Sequence, residues 1–403
     1  MICVCIGRGR HRHMRAEHAH LVEQGAKLVE LRLDYISGEV NLKRLLDNRP
    51  GPVLISCRRP ADGGKWSGSE AERLVLLRSA IAEGADYIDL EDDVASSIPR
   101  YGKTKRIISL HDFTKTPDDI EQIHARLASL EADIVKLATM ANCPHDNVRM
   151  LNLIKNSDVP TVAMCMGDMG TPTRVLAAKF GAPFTYATFH HERALAPGQL
   201  SFKQMTDMYR YEEITENTEI YGVIADPIGH SMSPLIHNTG FSESNLDKVY
   251  LPFRVPREEL VQFLKDCPSI GVRGLSVTIP HKESVLAHCT KVDRAVQGIG
   301  AANTLVFQDG QILGYNTDYR AAMDSLSEVM KLPANDKPLS GSTALLLGAG
   351  GVAKAIAYGL IRRGAKVFVA ARNTARANAF AENLGCSVVE WDNRHTINAA
   401  ILV

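Results

Sequence analysis

The chain has 403 residues, 46 Lys plus Arg set against 46 Asp plus Glu, and a composition that is 45% hydrophobic and 23% charged. That length holds two or three domains, and the composition is that of soluble globular protein. Zero formal charge argues against a partner held by bulk charge, whether nucleic acid or membrane surface, and leaves room for a local cationic pocket.

The first half repeats one unit. Short β-branched runs lie at ICVCI (2–6), LVELRLD (28–34), PVLISCR (52–58), YIDLE (87–91), RIISLHD (106–112), DIVKLAT (133–139), TVAMCMG (161–167) and FTYATF (184–189). Amphipathic stretches such as AEHAHLVEQGAK, SEAERLVLLRSAIAEGA and TPDDIEQIHARLASLEA separate them. Strands alternating with helices imply parallel pairing through crossover helices. Eight such units in about 215 residues predict a closed (β/α)₈ barrel, with an open doubly wound sheet as the alternative. The cysteines are scattered, without a C-x-x-C, and Cys3 and Cys5 are too close to pair easily. Reduced thiols in a cytoplasmic protein are therefore expected, with no disulfide framework and no structural zinc. No apolar run reaches the ~18 residues of a membrane helix. The chain opens almost directly in a strand, so no signal or transit peptide is expected.

In a (β/α)₈ enzyme the reactive groups sit at the C-terminal ends of the strands. Those ends carry Glu30, Arg32, Arg58, Glu91, His111 with Asp112, and Lys136. A charge inside an apolar run costs free energy unless it is paired or used. Lys136 is the sharpest case: paired with a carboxylate it is structural, but desolvated among arginines it has the lowered pKa that imine formation with a ketone needs. His111 can move a proton near neutral pH. His11, His13, His18 and His20 crowd the first unit, but i,i+2 pairs diverge on a helix, so a solvated basic face is expected rather than a metal site.

V-E-L-R-L-D, C-R-R-P-A-D-G-G, S-L-H-D-F, D-I-V-K-L-A, the Arg174 of G-T-P-T-R and A-P-G-Q at 196–199 together resemble type I 3-dehydroquinate dehydratase, in order and over almost the whole first half. The resemblance implies that Lys136 forms a Schiff base with the substrate ketone, with no cofactor. It implies that His111 takes the adjacent C–H proton and protonates the departing hydroxyl. Arg174 would bind the substrate carboxylate, and Glu30, Arg32, Arg58 and Gln199 would line the pocket. The family usually has Glu where Asp62 stands, to orient the histidine, and often Ser where Leu195 stands, to bind substrate.

From about residue 215 the texture changes. ENTEIYGVIADPIGH, VYLPFRV, VRGLSVTI, ANTLVF and QILGYN carry further strands, and Gln308-Asp309-Gly310 marks a hairpin. The helix YRAAMDSLSEVM and the linker LPANDKPLSG precede TALLLGAGGVAKAIAYGLIRRGAKVFVAAR, a strand, glycine turn, helix and strand. Domains are thus expected at 1–214, 218–331 and 340–403. Alone, Ser231 and Asp318 read as helix caps and Asn303 as a strand start. Together S-x-S-P-L-I-H-N, L-S-V-T-I-P-H-K, I-G-A-A-N-T and G-Y-N-T-D resemble the substrate domain of shikimate dehydrogenase. The resemblance implies that Lys282 and Asp318 handle the hydroxyl proton and that Ser231, Ser233, Thr278 and Asn303 hold shikimate, the paired serines favouring it over quinate.

Gly348-Ala349-Gly350-Gly351 opens a G-x-G-x-x-G/A fingerprint between a strand and a helix, as a pyrophosphate site requires. Near the end of the next strand stand Arg372 and Arg376 and no acid, which suits the 2′-phosphate of NADP(H). The whole is read as α/β: a TIM barrel, an α/β shikimate-binding domain, and an incomplete Rossmann-type NADP-binding domain that stops in its fourth strand. The expected activity is dehydration of 3-dehydroquinate followed by NADPH-dependent reduction of 3-dehydroshikimate to shikimate. The alternative is that only the dehydratase acts and the second half is a substrate-binding remnant. Small molecules are the expected partners, with no nucleic acid or membrane.

Overall fold

The computed structural model describes residues 1–229 and 231–403, which divide into two compact units. The first comprises Met1–Gly222 and Pro227–Gly271, the second Val223–Asp226 and Val272–Val403.

The first unit begins with eight parallel strands: β1 (Ile2–Ile6), β2 (Leu28–Arg32), β3 (Val53–Ser56), β4 (Tyr87–Glu91), β5 (Lys105–Asp112), β6 (Ile134–Met140), β7 (Thr161–Met166) and β8 (Thr185–Thr188). They pair in the order β7-β6-β5-β4-β3-β2-β1-β8. Each predicted run holds a strand because its β-branched and aliphatic residues are buried on both faces, the signature of parallel strands covered by helices. The barrel departs from full closure, since no ladder among the described residues joins β7 to β8. A loop crosses the gap instead: the N–H of Gly167, after β7, donates to the carbonyl of Pro197, after β8, at 3.3 Å. This explains the glycine of A-P-G-Q. Gly198 has φ +72°, and a Cβ there would lie 2.4 Å from the Gly167 carbonyl oxygen.

Helices cover the barrel, among them His11–Glu23, Glu70–Ala82, Ile120–Ala128 and Pro144–Lys155. Ser69 and Glu72 form a capping box at the second of these, fixing its start. The same unit continues through β9 (Glu219–Ala225), whose last residues enter the second unit, the helix Ser233–Glu243, β10 (Lys248–Arg254) and the helix Leu260–Ile270.

In the second unit the end of β9 leads a mixed sheet of β11 (Val272–Val277), β12 (Lys291–Val292), β13 (Thr304–Gln308) and β14 (Gln311–Tyr315), in the order β9-β11-β13-β14-β12. The β13–β14 hairpin turns at Asp309 and Gly310, with φ of 50° and 72° and Gln308 opposite Gln311. Two central residues at positive φ are what a type I′ turn demands of its Asp-Gly. After the helix Asp318–Met330 comes a parallel sheet of β15 (Thr343–Leu347), β16 (Lys366–Ala370), β17 (Ser387–Val388) and β18 (Ile401–Leu402), ordered β17-β16-β15-β18. That parallel order, with β15 and β16 at its centre, is of the doubly wound type. The third strand of this sheet, in the segment SVVEW, is only two residues long, because Trp391–Thr396 coils into a 3₁₀ segment. Leu346, Leu360, Val369 and Phe380 form the core beneath the sheet. No helix among the described residues is long and apolar enough to cross a membrane.

Candidate active sites

The barrel gathers its charges into one pocket. Glu30, Arg32, Arg58, Asp62, His111, Lys136, Arg174 and Gln199 all line it, together with Cys5, Tyr186 and Leu195. Lys136 enters from β6 and donates to Asp89 Oδ2 at 2.9 Å. The same oxygen accepts from Arg58 Nη2 at 2.6 Å, and Oδ1 accepts from Ser109 at 2.6 Å. Burial would raise the Asp89 pKa, but Arg58 and Lys136 outweigh it and hold the carboxyl below its usual range. Glu30 accepts from Ser56 at 2.8 Å; burial opposes its charge, and Lys136 and Arg58 again win.

His111, at the end of β5, has Arg58 Nη1 at 2.9 Å from Nδ1 and 2.7 Å from Nε2. A guanidinium can only donate, so it faces a neutral imidazole nitrogen. Burial first, then Arg58 and Lys136, push the His111 pKa well below the ordinary value. The ring is therefore neutral, and a base, at pH 7. Arg32 makes a bidentate pair with Asp34, at 2.9 and 2.8 Å.

Arg174 differs from the other cations. It is 1% exposed, donates to the Pro197 carbonyl at 3.1 Å, and has no carboxylate contact among the described residues. Its buried Nε has no partner among the described residues. Burial lowers its pKa to about 10, which leaves it charged at neutral pH. A buried cation without a counter-ion is the chemistry of an anion site. Gln199 ties its own loop, its Oε1 accepting from the N–H of Leu195 at 2.7 Å.

Some expectations are not met. Asp62 lines the pocket, but its carboxylate accepts from Arg59 at 2.6 Å rather than orienting His111. Glu91 lies outside the pocket, paired with Arg73 at 2.8 Å, and Asp112 caps the turn at Thr114 and Lys115. Lys136 is not surrounded by arginines alone, because Asp89 stands between it and Arg58. Asp89 and Tyr186 were both missed. The signal for Asp89 was alternation, which puts residues 89 and 91 of β4 on one face. Tyr186 carried no signal beyond that of a core aromatic. The histidine-rich region holds no metal-like cluster among the described residues.

In the second unit Lys282 donates to Asp318 Oδ2 at 2.5 Å, and Asn303 Nδ2 donates to Asp318 Oδ1 at 2.8 Å. Asp318 does not cap its helix. It is the first helical residue, and its own N–H donates to Asn316 Oδ1 at 3.0 Å. Thr278 follows β11 and its carbonyl accepts from the N–H of His281 at 2.8 Å. In the first unit, Ser231 Oγ accepts from the N–H of Ser233 at 3.3 Å, at the start of the helix Ser233–Glu243. Gly348 has φ +128° after β15, and Gly350 precedes the helix Gly351–Arg362. Neither Gly348 nor Gly350 has an atom within 4 Å of a Cβ built on it, so the turn is an open cradle at a helix N-terminus. Arg372 and Arg376 are exposed just beyond β16, where Asn373 caps the next helix. A cradle of this kind with exposed arginines and no acid fits NADP.

Residues 2–216 match the profile of type I 3-dehydroquinase, residues 223–305 that of the shikimate dehydrogenase substrate binding domain, and residues 343–403 that of NADP oxidoreductase, coenzyme F420-dependent. The chain is 36% identical to the chloroplastic bifunctional 3-dehydroquinate dehydratase/shikimate dehydrogenase of Arabidopsis thaliana, over all of this chain and 70% of that protein. It belongs to the bifunctional 3-dehydroquinate dehydratase/shikimate dehydrogenase family. It is also 30% identical to the shikimate biosynthesis protein AroDE of Chlamydia pneumoniae, over 90% of this chain and 73% of that one. Among solved structures it resembles the dehydroquinate dehydratase and shikimate dehydrogenase of S. pombe AroM, at 25% identity over 99% of this chain and 81% of that one, with a TM-score of 0.44. The shikimate dehydrogenase of Aquifex aeolicus is 35% identical over 43% of this chain, with a TM-score of 0.40, and the chain spans 62% of its length.

Proposed function

We propose that the barrel dehydrates 3-dehydroquinate through Lys136 and that the second half reduces the product, 3-dehydroshikimate, with NADPH. What carries the first assignment is the meeting of three groups in one pocket: the amine of Lys136, the neutral imidazole of His111 and the uncompensated cation of Arg174. Arg174 takes the substrate carboxylate. The Lys136 nitrogen adds to the ketone carbon, the oxygen leaves as water, and a protonated imine remains. That electron sink acidifies the neighbouring C–H, and His111 removes its proton. The electron pair returns as the β-hydroxyl departs with the proton from His111, again as water. Hydrolysis then frees the lysine and the enone. Glu30, Arg32, Arg58, Asp62 and Gln199 line this reaction space.

In the second half, Gly348, Ala349, Gly350 and Gly351 would hold the pyrophosphate of NADP(H), and Arg372 and Arg376 its 2′-phosphate. The bound nicotinamide supplies hydride chemistry. Lys282 and Asp318 hold and pass the proton at the substrate oxygen, and Asn303 orients Asp318. The family resemblance assigns substrate contacts to Ser231, Ser233 and Thr278. Nothing in this geometry favours the reading in which only the dehydratase acts. We divide the chain into a dehydratase (1–214), a substrate-binding domain (218–331) and an NADP-binding domain (340–403). Its eight free thiols suit a reducing compartment, read as cytoplasmic, although the Arabidopsis relative is named chloroplastic.

The test is chemical trapping. Incubation with 3-dehydroquinate and borohydride should place one stable adduct on Lys136, mapped by peptide mass spectrometry. Absence of the adduct, or its persistence in Lys136→Ala, refutes the assignment.

A further inference from the structure

We propose that Tyr186 is a positioning residue for the dehydration step: its ring face holds the Lys136 nitrogen and stabilises the positive charge that this nitrogen carries as the protonated imine. The proposal rests on the reading of Lys136 as the imine-forming residue.

The geometry gives Lys136 two supports of different kinds. Asp89 lies 2.9 Å from Nζ, and the centroid of the Tyr186 ring lies 4.1 Å away. The Asp89 carboxylate is shared with Arg58 and Ser109, so its charge is already divided. The aromatic face is not shared in this way, since Lys136 is the only cation recorded over it among the described residues. A π-face attracts a cation through its quadrupole, and the attraction grows as water is excluded. Both partners are buried here, Lys136 at 4% and Tyr186 at 3% exposure.

The ring is held for this purpose. Tyr186 projects from β8, and Phe184 on the same face meets it edge-on, with centroids 5.5 Å apart and planes at 73°. Cys3 on β1 stands in register with it. The hydroxyl contributes nothing comparable. It is sealed from solvent and has no hydrogen-bond partner among the described residues. Burial pushes the phenol pKa well up, so it stays protonated and serves as no base. A buried hydroxyl without a partner costs stability, so the aromatic face accounts for the residue better than its polar end does.

The imine is where the support acts. In the free enzyme the ammonium can draw on Asp89. Once the nitrogen is bonded to the substrate carbon it keeps one N–H, and its charge spreads into the C=N bond. A diffuse face follows that displaced charge better than a single acceptor oxygen does.

The experiment replaces Tyr186 in the full chain with phenylalanine and then with its mono-, di- and trifluorinated analogues. Fluorine drains the negative face while leaving the ring's shape nearly unchanged. We expect Tyr186→Phe to keep kcat within about twofold. Along the fluorinated series kcat and the rate of borohydride trapping should fall in step, to about tenfold below Tyr186→Phe, with KM for 3-dehydroquinate unchanged. Near-UV circular dichroism tracks folding across the series. A flat series with loss only in Tyr186→Leu would reduce the ring to packing and overturn the proposal. So would collapse of kcat in Tyr186→Phe, which would assign the work to the hydroxyl. If the unsubstituted enzyme yields no adduct at Lys136, the imine reading itself fails, and this proposal with it.

Discussion

The two chemical centres are assembled in opposite ways. In the barrel, Asp89 on β4, Lys136 on β6, Ser109 on β5 and Arg58 after β3 meet only because the strands close around them. The side chains of Lys136 and Asp89 are 5% and 0% exposed, against 13% and 25% for Lys282 and Asp318. In the second unit, Asn316, Thr317 and Asp318 are consecutive, the β13–β14 hairpin brings Asn303 beside them, and Lys282 is the more distant member. The first is an electrostatic centre: the buried cations Lys136, Arg58 and Arg32 are paired with Asp89, Glu30 and Asp34, while the buried Arg174 has no carboxylate partner among the described residues. The second is a hydrogen-bond relay, half open, as a site that must admit both a substrate and a cofactor requires. Burial pre-organises the one, while local chain geometry pre-organises the other.

The largest separation should come from removing one proton carrier in each centre. His111→Ala should slow dehydration by roughly 10²–10⁴-fold and leave borohydride trapping at Lys136 in place, because electrophile and base are different groups. Lys282→Ala should slow NADPH-dependent reduction on the same scale. Neither substitution should change the other activity more than about twofold, since residues without shared partners act additively. Assaying both half-reactions on each variant checks this. A loss of both activities in either variant would show that the centres are coupled.

A smaller effect tests the unpaired cation. Arg174→Ala removes the cation that no carboxylate balances. We expect kcat/KM for 3-dehydroquinate to fall about 10²-fold, mainly through KM, as loss of hydrogen bonds to a charged group predicts. With that charge gone, added salt should weaken substrate binding less than in the parent. Steady-state kinetics at two ionic strengths measures both.

Much of this was legible in the sequence for a physical reason. Parallel strands buried on both faces become unbroken β-branched runs, so all eight barrel strands could be read, most to within two residues. The two-residue strand β12 carries no period and could not. Asn303, Lys282 and Asp318 were visible through motif order, although alone Asp318 looked like a cap and Asn303 like a strand start. Asp89 was hidden because Glu91, two residues on, occupies the strand end where catalytic groups are sought, yet Glu91 is taken by Arg73 from the helix Glu70–Ala82. Asp62 looked like a histidine partner, but its neighbour Arg59 competes for it at i−3. The pairing of Glu91 with Arg73 joins two elements, which sequence spacing does not encode, whereas that of Asp62 with Arg59 is a local i,i+3 contact.

The smallest expected effect lies outside both centres, and it separates burial that serves chemistry from burial that does not. His18, on the helix His11–Glu23, is 2% exposed, and its Nε2 has no partner among the described residues. Burial, aided by Arg49, lowers its pKa to about 4. His111 shares the direction of that shift but uses it to stay a base, whereas His18 only carries a cost. The sign follows from linkage. In the unfolded chain the imidazole binds its proton near pH 6.5, and in the folded chain only near pH 4. Between those values the unfolded state takes up more protons, so stability is full above about pH 6.5 and is lost as pH falls towards 4. His18→Leu removes that linkage and one unpartnered polar atom together. Thermal melts at pH 7 and pH 5 should show a smaller acid-induced drop in Tm for His18→Leu than for the parent, with dehydration at pH 7 unchanged. Equal drops in the two proteins would mean that His18 is solvated in the folded state and that the acid sensitivity arises elsewhere.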